Sequence, residues 1–162
     1  HVKDKEVFLE IYGDGPLKEW VKEYEKEHRN VCYKGKVSNK EMIKKQRGAW
    51  LLVNPRPVGD AIARVTFPSK IFEYLLSGRP ILCTKLTGLT EDYLHYMFVA
   101  NDNSVSELSM WIDKIANMSE ETLSRKGRAA LEFVVQNKTW EKQVARIYQF
   151  LQSIQNEGKH EK

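Results

Sequence analysis

Residues 67–82 read FPSKIFEYLLSGRPIL, and this stretch decides the fold. Pro68 disfavours a helical conformation in the residue before it, and Ser69 is a residue type that caps helix N-termini well. The apolar residues that follow recur at helical spacing until a Ser-Gly pair, a sequence at which helices commonly end. We therefore predict a helix over residues 69–76 and a strand over residues 80–83.

Short apolar runs alternate with helical patterns on both sides of this stretch. The predicted strands cover residues 7–12, 31–33, 49–53, 80–83 and 96–99. The predicted helices start at Pro16 and Ser38 or cover residues 69–76, 104–118, 119–136 and 139–154, and the tail beyond Asn156 is expected to fray. Strands and helices that alternate at this spacing are typical of a parallel sheet with helices on its faces. We therefore predict one α/β domain with a doubly wound parallel sheet.

The composition is that of an ordinary soluble globular protein. Of the 162 residues, 41% are hydrophobic and 30% are charged. No apolar run approaches the roughly 20 residues of a membrane-spanning helix. The chain begins with a polar segment at His1 instead of Met, so we expect an internal fragment without a signal peptide. Cys32 and Cys83 lie in apolar runs, and we predict two reduced, buried thiols in a cytosolic protein.

The net charge of +4 suits an anionic ligand or an anionic membrane surface. The charges are scattered along the chain, and no basic patch is interleaved with aromatic residues, so we predict no nucleic-acid partner. The sequence contains neither an Asp-x-Asp triplet nor a cluster of histidines and carboxylates. We therefore predict no metal site.

Ligands of doubly wound proteins bind beyond the carboxyl ends of the strands, so the loops that follow the predicted strands are the candidate sites. These loops contain Gly13-Asp14-Gly15, residues 35–38, residues 54–68 and residues 84–88. Glycine in such a loop lets the backbone approach a ligand closely. The first turn lacks the third glycine of a dinucleotide-binding fingerprint, and a tight strand-to-helix turn is its alternative interpretation.

The helix predicted over residues 69–76 combines groups that suit a nucleotide. A helix N-terminus presents backbone N–H groups and a positive dipole end, and Lys70 adds a positive charge there, which suits a diphosphate. Glu73 shares a helix face with Ser69 and Lys70, and its carboxylate can accept hydrogen bonds from two ribose hydroxyls. The alternative is an amphipathic surface helix with a Lys70–Glu73 ion pair.

The stretch at residues 67–82 strongly resembles the nucleotide-sugar site of the family called glycosyltransferases group 1. The sequences IYGDGP at residues 11–16, VCYKGKVSNKEM at residues 31–42 and KTWE at residues 138–141 resemble further segments of that family. Its members have the GT-B fold, in which two Rossmann-like domains face each other across a cleft. The resemblance implies that residues 1–162 are the C-terminal, donor-binding domain. The first part of that domain and the whole N-terminal acceptor domain are then missing from the chain.

The resemblance also implies donor-binding roles by position. Glu73 matches the acid that binds the nucleotide ribose, and Ser69 and Lys70 match the helix start that meets the diphosphate. The loop that frames the base is matched by Gly35, Lys36 and Val37, and the turn that lets the donor come close is matched by Gly13 and Gly15.

Two departures from the family concern the donor sugar and the leaving group. Val65 occupies the position, eight residues before Glu73, at which many members have a second Glu that contacts the sugar. Asp60 or Arg64 in the same loop are candidates to replace it. An Arg and a Lys that neutralise the leaving diphosphate in the family precede the part of the domain present here, so the catalytic residues stay unassigned.

The resemblance implies a nucleotide diphosphate sugar as substrate, a UDP-sugar above others, and no cofactor. The full-length protein is then a retaining glycosyltransferase that transfers a sugar to a hydroxyl acceptor in surface polysaccharide or glycolipid synthesis, and this chain alone is expected to be inactive. We expect it in the cytoplasm, where it can associate peripherally with the inner face of the membrane. The sequence leaves open the nucleobase, the sugar, the acceptor and the oligomeric state. The alternatives are a non-catalytic nucleotide-binding module and a GT-B relative such as a nucleotide-sugar epimerase or a phosphorylase.

Overall fold

The computed structural model describes residues 7–59 and 67–160, and five strands and seven helices alternate in these residues. The strands are β1 (Leu9–Tyr12), β2 (Val31–Gly35), β3 (Leu52–Asn54), β4 (Ile81–Thr84) and β5 (Phe98–Ala100). The helices are α1 (Lys18–Glu27), α2 (Asn39–Gly48), α3 (Ser69–Ser77), α4 (Glu91–Leu94), α5 (Val105–Ala116), α6 (Glu120–Asn137) and α7 (Trp140–His160). The predicted α/β class is confirmed. The short helix α4 was not predicted.

The strands form two parallel sheets within the described residues. In the first sheet β1 pairs with β2, and Leu9 lies opposite Val31. In the second sheet the order is β3-β4-β5, so that β4 is the central strand. The prediction of a single sheet is therefore wrong for this part of the chain, because β1 and β3 do not pair with each other. Apolar periodicity identifies strands, whereas backbone hydrogen bonds between distant segments decide which strands share a sheet.

Helices cover both faces of the second sheet. The side chains of Ile81 and Cys83 on β4 lie in a core with Ile71 and Leu75 of α3. The side chain of Leu82 belongs to a second core, whose other buried members are Phe98, Ala100, Ile115 and Leu123. Successive side chains of a strand point to opposite faces, so the first core lies under α3 and the second under α5. This two-sided burial is the doubly wound arrangement predicted from the sequence.

Two glycines bring α6 against the end of α3. Gly78 ends α3 with a φ of +71°, a conformation that glycine adopts without strain. Gly127 lies in the middle of α6 and faces the backbone of this turn. A Cβ atom at Gly127 would lie 2.2 Å from the carbonyl oxygen of Gly78. The absence of a side chain at Gly127 is therefore what allows the two helices to approach this closely.

Serine side chains cap three of the helices, and the cap at Ser38 was predicted from the sequence. Ser38 accepts a hydrogen bond from the Glu41 backbone N–H at the start of α2, and Ser104 and Ser119 do the same at α5 and α6. Helix α3 differs, because its N-cap is Pro68 and Ser69 is its first helical residue. The prediction that Ser69 is the N-cap is therefore wrong by one position, because Pro68 itself has the extended conformation of a capping residue.

The two cysteines have different environments. Cys83 on β4 is completely buried, with its Sγ atom 3.8 Å from the Met97 Sδ atom. Burial raises the pKa of the Cys83 thiol to about 12. Cys32 on β2 is only half-buried. The expectation of two free thiols is met, but the expectation that both are buried holds for Cys83 alone, since β2 belongs to the smaller and less covered sheet.

Helix α7 spans Trp140–His160 and includes residues beyond Asn156, where the sequence predicts that the tail frays. Its apolar side chains are exposed, namely Trp140, Val144, Ile147, Tyr148, Phe150, Leu151 and Ile154. Seven side chains of this size at helical spacing show that α7 has an apolar face that the rest of the described chain does not cover. In the part of the chain that the structure describes, no helix combines the length and apolar character needed to span a bilayer.

Candidate functional site

Two of the predicted glycines meet at the carboxyl ends of β1 and β2. The Gly13 N–H donates to the Gly35 carbonyl oxygen at 2.9 Å, and the Tyr33 hydroxyl donates to the Gly13 carbonyl oxygen at 2.7 Å. Both glycines have positive φ values, +128° for Gly13 and +66° for Gly35, which explains why glycine occupies these positions. Lys36 and Val37 follow directly, with Lys36 exposed and Val37 half-buried. Gly15 lies one turn on, where its N–H bonds to the Asp14 side chain.

The first two turns of α3 bring the predicted polar side chains together. Ser69 is the first residue of the helix, directly after the loop that leaves β3. The Lys70 Nζ atom donates to both carboxylate oxygens of Glu73, at 3.1 Å to Oε1 and 2.9 Å to Oε2. The Lys70 side chain is 58% exposed and that of Glu73 is 38% exposed. The ion pair is therefore open to solvent, so its contribution to stability is small. Either side chain can leave the pair to bind another group.

A second donor reaches Glu73 from the neighbouring helix. Gln46 on α2 is buried, with 5% of its surface exposed, and its Nε2 atom donates to Glu73 Oε2 at 3.3 Å. Burial raises the pKa of Glu73, but the hydrogen bonds from Lys70 and Gln46 and the charge of Lys70 outweigh it and lower the pKa below its ordinary value. The carboxylate is therefore ionised at neutral pH and accepts hydrogen bonds only.

An open pocket of about 570 Å³ lies beside this face of α3. Its walls come from the start of α3, from α4 and from the junction of α6 with α7, and they consist of Phe67, Ser69, Phe72, Glu73, Tyr93, Lys138 and Gln143. Three aromatic side chains and four polar or charged side chains line the space. The volume of the pocket lies within the range of small-molecule sites, but the pocket is more open to solvent than an enclosed cleft.

Lys138 fixes one wall of the pocket. Its Nζ atom lies 2.7 Å from Asp92 Oδ2, 4.4 Å from the centre of the Tyr93 ring and 5.1 Å from that of Phe133. Only 11% of the Lys138 side chain is exposed. The hydrogen bond from Lys138 lowers the pKa of Asp92, so this ion pair holds the end of α6 against α4 at neutral pH. We assign Lys138 a structural role, since its charge is already matched.

Comparison with known proteins identifies the family. Residues 1–118 match the family described as “Glycosyl transferases group 1”. The chain belongs to this family. Its structure is similar to the crystal structure of HepE from Anabaena in complex with UDP and glucose, with a TM-score of 0.65 and 19% sequence identity. The similarity covers 91% of this chain and 41% of the HepE chain, so the chain spans less than half the length of that protein. No curated protein matches the sequence.

In this glycosyltransferase domain the predicted donor-binding residues form two groups. Ser69, Lys70 and Glu73 form one group at α3, and the residues at the ends of β1 and β2 form the other. No hydrogen bond joins the two groups among residues 7–59 and 67–160. Helix α2 links them along the chain, because it starts at Asn39, two residues after Val37, and carries the Gln46 that reaches Glu73. Asp60, Arg64 and Val65, which the sequence singled out for the donor sugar, lie outside the described residues.

Several residues around Glu73 were not identified from the sequence of this domain. Tyr93 of α4 and Gln143 of α7 carry no local motif, and Lys138, which belongs to the KTWE segment, was given no part in the site. All three join the pocket only through the fold. Gln46 did have a signal, because it follows Met42 by four residues and precedes Ala49 by three, on the buried face of α2. A glutamine at an apolar position of a helix indicates a specific hydrogen-bond partner. The described residues contain no group of three or more His, Cys, Asp or Glu side chains that could hold a metal ion.

Proposed function

We propose that this domain binds a UDP-sugar and forms the donor half of a retaining glycosyltransferase. One observation carries the proposal, namely that the helix start at Ser69 and the ionised carboxylate of Glu73 line the same open pocket. HepE, whose fold is similar, was crystallised with UDP and glucose. We infer UDP in preference to other nucleotides from this relative, and the retaining outcome from the family.

The geometry of α3 suits the two polar parts of a nucleoside diphosphate. The N-terminal end of the helix offers backbone N–H groups and a positive dipole end to the diphosphate. Glu73 is positioned one turn further along, where its carboxylate can accept hydrogen bonds from the ribose hydroxyls. Lys70 is exposed and forms a surface ion pair with Glu73, so its ammonium can move to a phosphate oxygen when the ligand arrives.

In the proposed reaction the domain stabilises the leaving group. The bond between C1 of the sugar and the donor phosphate oxygen breaks, and its electron pair stays on the diphosphate. The acceptor hydroxyl oxygen bonds to C1 and its proton passes to the released diphosphate. Negative charge thus develops on the diphosphate, where the helix end and Lys70 are best placed to stabilise it. The acceptor is then a hydroxyl of a growing surface polysaccharide or glycolipid at the cytoplasmic face of a membrane.

The first test of this proposal is calorimetric binding of UDP to the protein and to its Glu73→Ala variant. We expect weak binding by the unmodified chain, because the part of HepE outside the matched 41% has no counterpart here. Glu73→Ala removes the ribose acceptor and should weaken binding by about 1–3 kcal/mol, which is roughly 5- to 150-fold in Kd.

Glu23→Ala is the matched control for this experiment. Glu23 forms the same type of ion pair, three residues from Lys26 and with an Nζ–Oε1 distance of 2.7 Å, but it lies on the exposed surface of α1. Its replacement should leave the affinity for UDP unchanged. Equal UDP affinities for the unmodified protein and Glu73→Ala would remove Glu73 from the site. A parallel series with GDP, ADP and dTDP identifies the preferred base.

A further inference from the structure

We propose that Gln46 is a positioning residue that holds the Glu73 carboxylate in place for the ribose hydroxyls of the donor. The inference rests on the proposed function, because it assigns to α2 a part in the same site. Gln46 does not line the pocket and would not touch the ligand. Its effect passes through the hydrogen bond from its Nε2 atom to Glu73 Oε2.

Because Gln46 is buried, its amide requires a specific hydrogen-bond partner within the protein. An amide removed from water loses its hydrogen bonds, which is unfavourable unless a partner replaces them. An apolar side chain at this position would fill the interface between α2 and α3 without that penalty. Gln46 is 5% exposed, and its Nε2 atom is directed at Glu73. The polar side chain is therefore explained by the carboxylate that it contacts.

Gln46 and Lys70 make different contributions to Glu73. Lys70 is mostly exposed and has a long, flexible side chain, so it cannot fix the orientation of the carboxylate. Gln46 is packed in the interface and fixes Oε2. Because a neutral amide leaves the negative charge of Glu73 intact, the carboxylate keeps its capacity for charge-assisted bonds to two vicinal hydroxyls. Gln46 continues to hold Glu73 after Lys70 has moved to the diphosphate.

The contact between α2 and α3 does not depend on Gln46 alone. The Arg79 Nε atom, just beyond the end of α3, donates to the Arg47 carbonyl oxygen of α2 at 2.6 Å. This second link ties the end of α2 to the turn that follows α3. A change at Gln46 can therefore release the Glu73 side chain while the two helices stay together.

The inference is tested by comparing the affinities of the protein for UDP and for 2′-deoxy-UDP. Gln46→Met has a similar volume but no amide, and we expect it to weaken UDP binding about fivefold, the effect of one lost hydrogen bond. Its affinity for 2′-deoxy-UDP, which keeps only the 3′-hydroxyl as a partner for Glu73, should fall by a smaller factor than its affinity for UDP, so that the preference for the ribonucleotide decreases. Gln46→Asn, which is too short to reach Glu73 but stays polar, should behave in the same way. In a Glu73→Ala background, Gln46→Met should have no further effect on UDP binding.

Thermal melting of each variant shows whether it is folded. The ratio of its affinities for UDP and 2′-deoxy-UDP shows whether the Glu73 carboxylate is still held in place. Equal losses for both nucleotides, or an unchanged ratio in Gln46→Met and Gln46→Asn, would overturn the inference. If Glu73→Ala removes the preference for UDP at the same time, the proposed function still stands. If the unmodified protein binds UDP and 2′-deoxy-UDP equally well, the ribose role of Glu73 itself fails, and the role of Gln46 fails with it.

Discussion

Replacement of Gly127 by alanine is expected to lower the free energy of unfolding by about 3 kcal/mol, at the upper end of the range for overpacked sites. The added Cβ would lie 2.2 Å from the Gly78 carbonyl oxygen, 2.8 Å from its carbonyl carbon and 2.9 Å from that of Arg79. All three atoms belong to the backbone, so no side chain can rotate away to make room. Helix α6 and the turn after α3 must separate, which opens the core between them.

The expected loss is a net value, because alanine also favours helix. In the interior of a helix, alanine is more favourable than glycine by about 1 kcal/mol, and this gain opposes the clash. For a domain of this size, the net loss corresponds to a decrease in melting temperature of about 6–12 °C. Thermal unfolding followed by circular dichroism measures it.

Gly48→Ala is the matched control for Gly127→Ala. Gly48 is the last residue of α2, and a Cβ atom there would meet no other atom within 4 Å. Its replacement should leave stability unchanged or raise it by up to about 1 kcal/mol. A Gly127→Ala variant that melts at or above the temperature of Gly48→Ala would show that α6 and α3 do not pack as described.

Sugar transfer by the isolated chain is expected to be absent, whereas the longer protein of which we expect it to form a part should transfer. Transfer requires that the acceptor hydroxyl and C1 of the donor are held together in a closed site, and such alignment contributes on the order of 10⁵-fold or more to rates. In the proposed site, Ser69 and Glu73 are the anchor for the nucleotide. The matched 41% of the HepE chain leaves more than half of that protein without a counterpart here.

Incubation of both proteins with UDP-sugars and a panel of hydroxyl acceptors tests this expectation. Product is measured by mass spectrometry, and release of UDP in the absence of acceptor is measured in parallel to detect hydrolysis. Glu73→Ala in the longer protein should reduce transfer by at least the factor by which it weakens UDP binding. Efficient turnover by the isolated chain would mean that the whole site lies within these residues and that the two-domain interpretation is wrong.

Much of the local structure could be predicted from the sequence, because its causes are local. The serines before α2, α5 and α6 cap those helices through contacts three residues apart. The order of strands and helices follows from apolar spacing. The glycine at position 127 in α6, by contrast, could not be explained from the local sequence. It is required because the backbone of Gly78, which is distant in sequence, packs against it in the folded state.

The part of the candidate site that lies on one helix could be predicted from the sequence. The part formed by several elements could not. Ser69, Lys70 and Glu73 share a helix face, so their proximity follows from helical geometry alone. The pocket beside them also needs Tyr93 and Gln143, which arrive from α4 and α7. The division of the strands into two sheets could not be predicted for the same reason, because pairing between strands depends on contacts between segments that are distant in sequence.

The buried thiol of Cys83 can be used to measure how often the central strand, β4, opens. Thiol reagents react with the thiolate, and a pKa of about 12 together with complete burial prevents the reaction while the sheet is closed. The rate of labelling at Cys83 therefore measures how often β4 opens, in the manner of hydrogen exchange. Cys32 is half-buried on β2 and should be modified on a separate, faster timescale. One time course with a single reagent thus compares the local opening of the two sheets without any mutation.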